Sequence, residues 1–309
     1  MSNRNRQIIR ASWVGVWGNA LLSVLKISVG LIAGSLAVVG DGIDSAGDII
    51  ASVITLLTAR LMSRPPNMKF PYGYEKADAL ASKVLSFIMF FAGAQLGISA
   101  VSGLIRGVER EMPAMFAIYA TLISIAGKLL LSWHQHRAGK KLDSPMLVAN
   151  GRNMQNDVII SGAVLAGLFF TFFLKLPVID SITAILVSLW IMYAAYGIFM
   201  KTNPELLDGV HDEKIYDDVF RVISSIKGVY NPHRARIRKV GNQFVIAIDI
   251  EVDGNKTVHE AHDIARQVED ALKSSIANVY DILVHVEPYG NIEKDEKYGV
   301  SGKDIHGIS

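Results

Sequence analysis

The chain has 309 residues, half of them hydrophobic, and a formal net charge of +2. Its mean hydropathy of +0.31 is too high for an ordinary soluble domain, and the small net charge gives no indication of a nucleic-acid partner. The absence of cysteine excludes thiolate metal sites and fits a fold without disulfides.

Six segments are long and apolar enough to span a bilayer, which requires about 20 mostly apolar residues. They cover residues 12–33, 38–60, 80–105, 114–134, 147–174 and 178–200. After Met200 the charge rises and polar residues alternate with apolar ones. The sequence therefore predicts a transmembrane domain over 1–203, a soluble domain over 204–290 and a flexible tail over 291–309.

Basic residues in the loops and near the ends of the spans fall mostly on one side of the membrane. Eleven lie on the side that holds both termini and three on the other side. The positive-inside rule therefore predicts that both termini, and the soluble domain, face the cytoplasm, and the protein is expected in the cell (inner or plasma) membrane. The eleven are Arg4, Arg6, Arg10, Arg60, Arg64, Lys69, Lys76, Arg137, Lys140, Lys141 and Arg152, and the three are Arg106, Arg110 and Lys175.

Two of the spans carry paired polar residues among apolar ones. Span 2 contains Asp44 and Asp48, and span 5 begins with Asn153 and Asp157. Each pair is spaced i, i+4, so both members face the same side of their helix. A carboxylate inside a membrane costs at least ~2.5 kcal/mol on insertion scales and usually marks an ion or proton pathway. Two adjacent carboxylates also repel, so a cation or a proton must balance them.

The four side chains offer three carboxylates and one amide as ligands. An all-oxygen set suits a divalent cation and favours Mn²⁺, because Zn²⁺ prefers nitrogen and sulfur ligands. Zn²⁺ stays possible, since it binds more tightly than Mn²⁺ at most generic sites. Asp41 lies one turn before Asp44, where we expect it to cap the helix or to face solvent. Lys128 is expected near the cytoplasmic end of span 4.

The soluble domain reads as αββαβ, a small ferredoxin-like or metallochaperone-like fold. Its sheet is expected to be covered on one face by the two helices. Gly241-Asn242 between two alternating runs predicts a hairpin turn, and Thr257 with Glu260 predicts a capping box at the second helix. The predicted elements cover residues 212–226, 233–240, 243–252, 257–275 and 279–286.

Residue types that bind metals are concentrated in this soluble domain. They lie on adjacent predicted elements, so a second metal site is expected here. Mixed imidazole and carboxylate ligands would suit Zn²⁺ as well as Mn²⁺. The candidates are His233, Asp249, His262, His285 and Glu287.

These features together resemble the cation diffusion facilitator family over residues 10–290. The resemblance rests on the six spans, the two paired motifs, YGYEKAD at 72–78 and the αββαβ tail. It implies a homodimeric exporter that exchanges a divalent metal for protons by alternating access. It also implies that the span 2 and span 5 pairs form the transport site, and that the soluble domain holds a binuclear regulatory site that draws two tails together.

Three departures from the family pattern bear on the metal. Zinc-exporting members usually have His where this chain has Asn153, and manganese-exporting members are more similar here. Asp249 replaces a family His with another ligand type. In the loop between spans 2 and 3, the metal-binding positions of zinc and iron exporters align with Asn67, Phe70 and Tyr74, so we expect no metal there. The resemblance also implies that Lys76 pairs with Asp208, linking the two domains near the dimer contact.

Other functions fit the sequence less well, and no enzyme activity is expected. An intramembrane aspartyl protease would use one Asp per helix and a GxGD motif, which VVGD at 38–41 lacks. A cation channel would not need a tight four-oxygen site. A membrane-bound metal sensor without transport would need only the soluble-domain site. Within the family, export of Zn²⁺, Fe²⁺ or Co²⁺ stays open.

Overall fold

The computed structural model describes residues 3–106, 111–142, 144–210, 212–240, 243–291 and 298–301. The predicted turn at Gly241-Asn242, the side chains of Arg4, Arg6 and Arg110, and most of the predicted flexible tail lie outside these residues. The chain divides into two compact units. One comprises Met1–Arg60 with Ala81–Met200, and the other Leu61–Leu80 with Lys201–Ser309.

The first unit is a bundle of six helices, each long and apolar enough to cross a membrane. This confirms the six predicted spans, although most helices extend further at one or both ends. The helices are α1 (Asn3–Ala33), α2 (Leu36–Met62), α3 (Ala77–Ile105), α4 (Phe116–Lys141), α5 (Pro145–Leu174) and α6 (Val178–Leu206).

The bundle buries small and branched apolar side chains and turns large ones outward. Ala37, Leu96 and Ile191 belong to a core built mainly by α2, α3, α5 and α6. Trp17 and Leu21 are 69% and 72% exposed, as expected for side chains that contact lipid. Glycines allow the helices to approach closely: a Cβ added at Gly40 would lie 2.7 Å from Leu96 Cδ2.

A buried acid fixes the start of α2. The Ser35 hydroxyl donates to Asp180 Oδ1 at 2.5 Å, and the Leu36 backbone N–H donates to Oδ2 at 2.9 Å. Asp180 lies in the first turn of α6 and is 2% exposed. Its carboxylate thus accepts a hydrogen bond from a backbone N–H that has no partner within α2. Its negative charge also interacts favourably with the positive end of the α2 dipole.

The second unit contains the αββαβ domain in the predicted order. Its strands form one sheet in the order β1-β2-β3, with β1 and β2 antiparallel and β2 and β3 parallel. The elements are α7 (Lys214–Ser224), β1 (Tyr230–Val240), β2 (Gln243–Val252), α8 (Val258–Ser275) and β3 (Val279–Pro288).

One face of the sheet packs against α7 and α8. Ile246, Ile248 and Ile250 of β2 join Val219 of α7 and Val268 of α8 in a single core. Because strand side chains alternate between faces, the intervening residues of β2 lie on the opposite, polar face of the sheet.

The predicted capping box at α8 is present. The Glu260 backbone N–H donates to Thr257 Oγ1 at 3.3 Å, and the Thr257 N–H donates to Glu260 Oε2 at 2.8 Å. These reciprocal bonds satisfy two free backbone donors and set the first residue of the helix.

Candidate functional site

The acids of α2 and α5 meet inside the helical bundle, whereas Asn153 is exposed. Asp44 and Asp157 are 7% and 6% exposed, and the carboxylates of Asp44 and Asp48 are both repelled by that of Asp157. Asp48 and Asn153 line one cavity. We call these four residues the α2–α5 site. Three acidic groups from two helices therefore share a buried position where only a cation or protons can balance them.

The cavity beside this site lies among α1, α2, α4 and α5 and has a volume of about 330 Å³. Its other polar lining side chains come from near the start of α1 and α5 and near the end of α2 and α4. Since consecutive helices cross in opposite directions, these ends belong to one side of the bundle. The cavity therefore extends from the α2–α5 site toward that side. The side chains are Ser12, Asn19, Ser52, Thr55, Gln135 and Asn150.

Two amide oxygens in this cavity have no hydrogen-bond partner among the described residues. They are Asn19 Oδ1 and Gln135 Oε1, while Gln135 Nε2 donates to the Ala11 carbonyl at 2.8 Å. One carboxylate oxygen of the site itself, Asp48 Oδ2, is also without a partner. Unpartnered buried oxygens are suited to a hydrated or partly dehydrated cation.

A buried lysine touches the site, and its role was not predicted. Lys128 Nζ donates to Asp157 Oδ2 at 2.7 Å, with side-chain exposures of 1% and 8%. Lys128 was expected near the cytoplasmic end of span 4. That expectation is wrong, because α4 continues to Lys141 and Lys128 lies midway along it, fully buried.

A second buried lysine forms a separate ion pair. Lys26 of α1 donates to Asp41 Oδ1 at 2.8 Å, Ser161 Oγ at 2.9 Å and Ser45 Oγ at 3.2 Å. The expectation that Asp41 caps α2 or faces solvent is therefore wrong. Asp41 is 1% exposed and lies beyond the first turn of α2, where Lys26 balances its charge.

Neither lysine pairing follows a local sequence pattern. The partners are separated by 15 and 29 residues and lie on different helices. The available signal was the presence of charged residues inside apolar spans, which must be paired. That signal identifies the lysines as important without naming their partners.

In the second unit, three of the five predicted ligands form a compact cluster. His233, Asp249 and Glu287 each offer a ligand atom within 4.8 Å of the others, and all three are buried. We call them the sheet cluster. His285 lies at its edge, with Nε2 3.4 Å from Glu287 Oε1 and a side chain that is 58% exposed. His262 is exposed on α8 and is not a member of the cluster that the described residues form.

Irregular backbone in β1 places His233 in this cluster. The β1–β2 register shifts on both sides of the His233–Asp249 pair, and Asn231 and Arg234 have φ of 39° and 49°. Ala235, two residues after His233, faces the core on the other side of the sheet. The extra residues therefore turn His233 to the polar face, as bulges do.

The sheet cluster has the chemistry that a metal ion requires. The Asn231 carbonyl can only accept, so His233 Nδ1, 2.7 Å away, carries the proton and Nε2 keeps its lone pair for a metal. Within the described chain, both oxygens of Asp249 and one of Glu287 are buried without a hydrogen-bond partner. Arg234 Nη1, 3.1 Å from Asp249 Oδ2, would share that carboxylate with the metal.

In the loop between α2 and α3, the aligned family positions hold side chains that contact one another. Asn67 Nδ2 donates to the Tyr74 hydroxyl at 2.6 Å, and the rings of Phe70 and Tyr74 are 4.8 Å apart. Asn67 Oδ1 also accepts from the backbone N–H groups of Lys69 and Phe70. These contacts use the polar atoms that the loop offers, and the absence of a metal there stays a prediction.

Lys76 and Asp208 contact each other within the second unit. Lys76 Nζ lies 2.8 Å from Asp208 Oδ1, and the two side chains are 41% and 49% exposed. A pair this exposed contributes at most about 1 kcal/mol to stability. Its predicted role in linking two domains stays a prediction.

Comparisons with known proteins show the family to which this chain belongs. Residues 12–207 match the family model of the cation efflux transmembrane domain, and residues 211–289 match that of the cation efflux protein cytoplasmic domain. The manganese efflux system protein MneS of Bacillus subtilis is 31% identical over 275 residues, which are 89% of this chain and 93% of that protein.

Further similar proteins come from other organisms. An uncharacterised transporter of Methanocaldococcus jannaschii is 30% identical over 283 residues, covering 91% of this chain and 99% of that protein. The metal-bound C-terminal domain of the CzcD transporter from Thermotoga maritima is 41% identical and covers 26% of this chain and 93% of its own, with a TM-score of 0.25. With both family models matched over almost the whole chain, this protein belongs to the cation diffusion facilitator family and is a multi-pass membrane transporter for the efflux of metal cations.

Proposed function

We propose that this chain exports Mn²⁺ from the cytoplasm in exchange for protons, by alternating access at the α2–α5 site. The observation that carries the proposal is the meeting of three carboxylates from two helices, of which Asp44 and Asp157 are buried and Asp48 is half-buried, with Asn153 in place of an imidazole. The ligand set is all oxygen, and oxygen ligands favour Mn²⁺ over Zn²⁺. The efflux of manganese by the similar protein MneS supports the same metal.

The exchange with protons follows from electrostatics. Asp44, Asp48 and Asp157 repel one another, so the site is unstable inside a membrane without positive charge. A bound divalent cation supplies that charge when the site faces the cytoplasm. After the metal leaves on the other side of the membrane, protons bind the carboxylates. They are carried inward when the site faces the cytoplasm again.

The cavity beside the site is suited to admit the metal. It reaches the α2–α5 site from the side of the bundle where α1 begins and α2 ends. The distribution of basic residues predicts that this side is cytoplasmic. In this proposal the structure represents the state that accepts metal from the cytoplasm, in the cell membrane, with both termini inside.

The sheet cluster is proposed as a regulatory metal site in a homodimer. His233, Asp249 and Glu287 would hold the ion, with His285 able to join at the edge. A bound metal would add positive charge to the carboxylates of Asp249 and Glu287, beside the arginines that lie 3.1 and 3.6 Å from Asp249. By the family resemblance, this favours association of the two cytoplasmic domains of the dimer.

The proposal is tested by metal uptake into proteoliposomes under an imposed pH gradient, with Mn²⁺, Zn²⁺, Fe²⁺ and Co²⁺ measured in parallel. We expect Mn²⁺ flux to exceed Zn²⁺ flux and to rise with the pH gradient. Strong Zn²⁺, Fe²⁺ or Co²⁺ flux would identify another exporter of the family. No flux of any metal by folded protein would leave the membrane-bound sensor as the better explanation.

Asp48→Ala is the variant that tests the site most directly. Asp48 Oδ2 has no hydrogen-bond partner among the described residues, so its removal leaves no buried cation unpaired. Removing Asp157 instead would leave the Lys128 ammonium buried without a carboxylate partner, which would lower the free energy of unfolding by about 3–5 kcal/mol. We expect Asp48→Ala to abolish Mn²⁺ flux. Thr121→Ala, which removes a buried hydroxyl bonded to the Ala117 carbonyl, should transport like the wild type.

A further inference from the structure

We propose that Lys128 is a tethered counter-cation of the α2–α5 site, which holds Asp157 while the metal is absent and is displaced when the metal binds. The inference rests on the proposed function of that site. In it, Lys128 is a positioning residue that limits metal affinity and helps the metal to leave.

The contact itself shows that Lys128 belongs to the site. Its ammonium is 2.7 Å from Asp157 Oδ2, and its side chain is 1% exposed. A buried ammonium is strongly unfavourable unless a carboxylate pairs with it. The position that a divalent cation needs next to Asp157 is therefore already held by a positive charge of the chain.

Comparison with Lys26 indicates that this charge can move. An ammonium group has three donors, and Lys26 uses them on Asp41, Ser45 and Ser161. Among the described residues, Lys128 has Asp157 as its one hydrogen-bond acceptor. Lys26 is thus held by three groups on two helices, whereas Lys128 is held by a proposed metal ligand.

The charge balance gives this lysine a function. Asp41, Asp44, Asp48 and Asp157 bring four negative charges to this part of the bundle when ionised. Lys26 and Lys128 bring two positive charges, so one divalent cation balances the remainder. Without Lys128 the site would carry an additional uncompensated negative charge. It would then bind a divalent cation more tightly and release it more slowly.

The test measures Mn²⁺ binding to the full-length protein by titration calorimetry, independently of transport. Lys128→Met keeps the length of the side chain and removes its charge. We expect its dissociation constant for Mn²⁺ to fall by roughly 10–100-fold, because a nearby positive charge has been lost. Mn²⁺ flux in proteoliposomes should fall, since release becomes slower. Lys128→Arg keeps the charge and should bind within about threefold of the wild type.

Lys26→Met is the matched control, since it removes the other buried ammonium. The hydrogen bonds of Lys26 go to Asp41, Ser45 and Ser161 rather than to a residue of the α2–α5 site, so its loss should lower thermal stability with a much smaller gain in Mn²⁺ affinity. Unchanged or weaker Mn²⁺ binding by folded Lys128→Met would overturn the proposal. Equal tightening in both lysine variants would show a general charge effect and would overturn it too.

The remaining outcomes are also decisive. If Lys128→Met does not fold, Lys128→Gln offers a neutral group that can still donate to Asp157. If neither neutral variant folds while Lys128→Arg does, Lys128 is structural and the proposal is wrong. Mn²⁺ binding at the α2–α5 site is defined as the binding that the wild type shows and Asp48→Ala lacks. If the wild type and Asp48→Ala bind Mn²⁺ equally, the proposed function of the site is wrong. That result is distinct from one that contradicts only the role of Lys128.

Discussion

In the proposed mechanism, residue identity in the α2–α5 site decides the metal preference. Asn153 would supply an amide oxygen, where an imidazole would attract Zn²⁺. We expect Asn153→His to raise the ratio of Zn²⁺ to Mn²⁺ flux by at least about tenfold, since even a change in a hydrogen-bond partner of a metal ligand alters affinity by that order. Competitive uptake of both metals into the same proteoliposomes measures this ratio directly.

A neighbouring asparagine provides the control for this prediction. Asn150 lies on α5 one turn before Asn153 and lines the same cavity. Asn150→His adds an imidazole to the cavity without placing it in the proposed ligand set, and it should leave the flux ratio unchanged. An unaltered ratio in Asn153→His, or an equal increase in both variants, would contradict the assignment of Asn153 as a ligand.

The sequence identified the acids of this site but not their partners. Asp44 with Asp48, and Asn153 with Asp157, are visible because i, i+4 spacing is a local property of a helix. The contacts of Lys26 and Lys128 depend on how helices pack, which local spacing does not determine. Asp41 was assigned to a cap or to solvent for the same reason, and its burial reflects a partner on another helix.

At the scale of elements, the capping box at the start of α8 is expected to weaken at acid pH. Hydrogen bonds from the Thr257 backbone and side chain lower the pKa of Glu260 below its ordinary value of 4.5. The stabilising effect of its charge is therefore complete above that ordinary value and is lost as the pH falls through the lowered pKa. We expect hydrogen exchange in the first turn of α8, corrected for intrinsic rates, to accelerate over that range.

Glu260→Gln separates charge from hydrogen bonding in this prediction. Gln can also form a capping box, but it does not titrate. The variant should show no acceleration over the same pH range, while Thr257→Ala should exchange faster at every pH. Parallel pH profiles for the wild type and Glu260→Gln would rule out Glu260 as the origin.

Elements were predictable where their signals are periodic or local. The six apolar runs and the αββαβ order were confirmed, because hydropathy and alternation repeat along each element. The bulges of β1 carry no such signal. Alternation alone would put His233 on the same face as Ala235, and the positive φ of Asn231 and Arg234 breaks that rule. The sheet cluster therefore depends on an irregularity that periodicity does not reveal.

At the scale of the whole molecule, the same chain pairs a buried oxygen site in the bundle with a mixed imidazole and carboxylate cluster in the αββαβ domain. The two ligand sets differ in chemistry, so a metal can load them at different concentrations. An oxygen-only site would favour Mn²⁺, whereas the mixed ligands of the sheet cluster would suit Zn²⁺ as well. A regulatory site with broader selectivity than the transport site would let the transporter respond to metals that it exports poorly.

The association of the two cytoplasmic domains in the proposed homodimer can be measured directly. The chain contains no Cys, so Ser274→Cys on the exposed surface of α8 gives one spin label per protomer. We expect added Mn²⁺ or Zn²⁺ to shorten and narrow the distance distribution between labels, because the proposed regulatory metal would draw the two cytoplasmic domains together. Diamagnetic Zn²⁺ is the better probe, as it does not relax the label. The same label with His233→Ala should not respond, and a response of equal size would place the regulatory metal elsewhere.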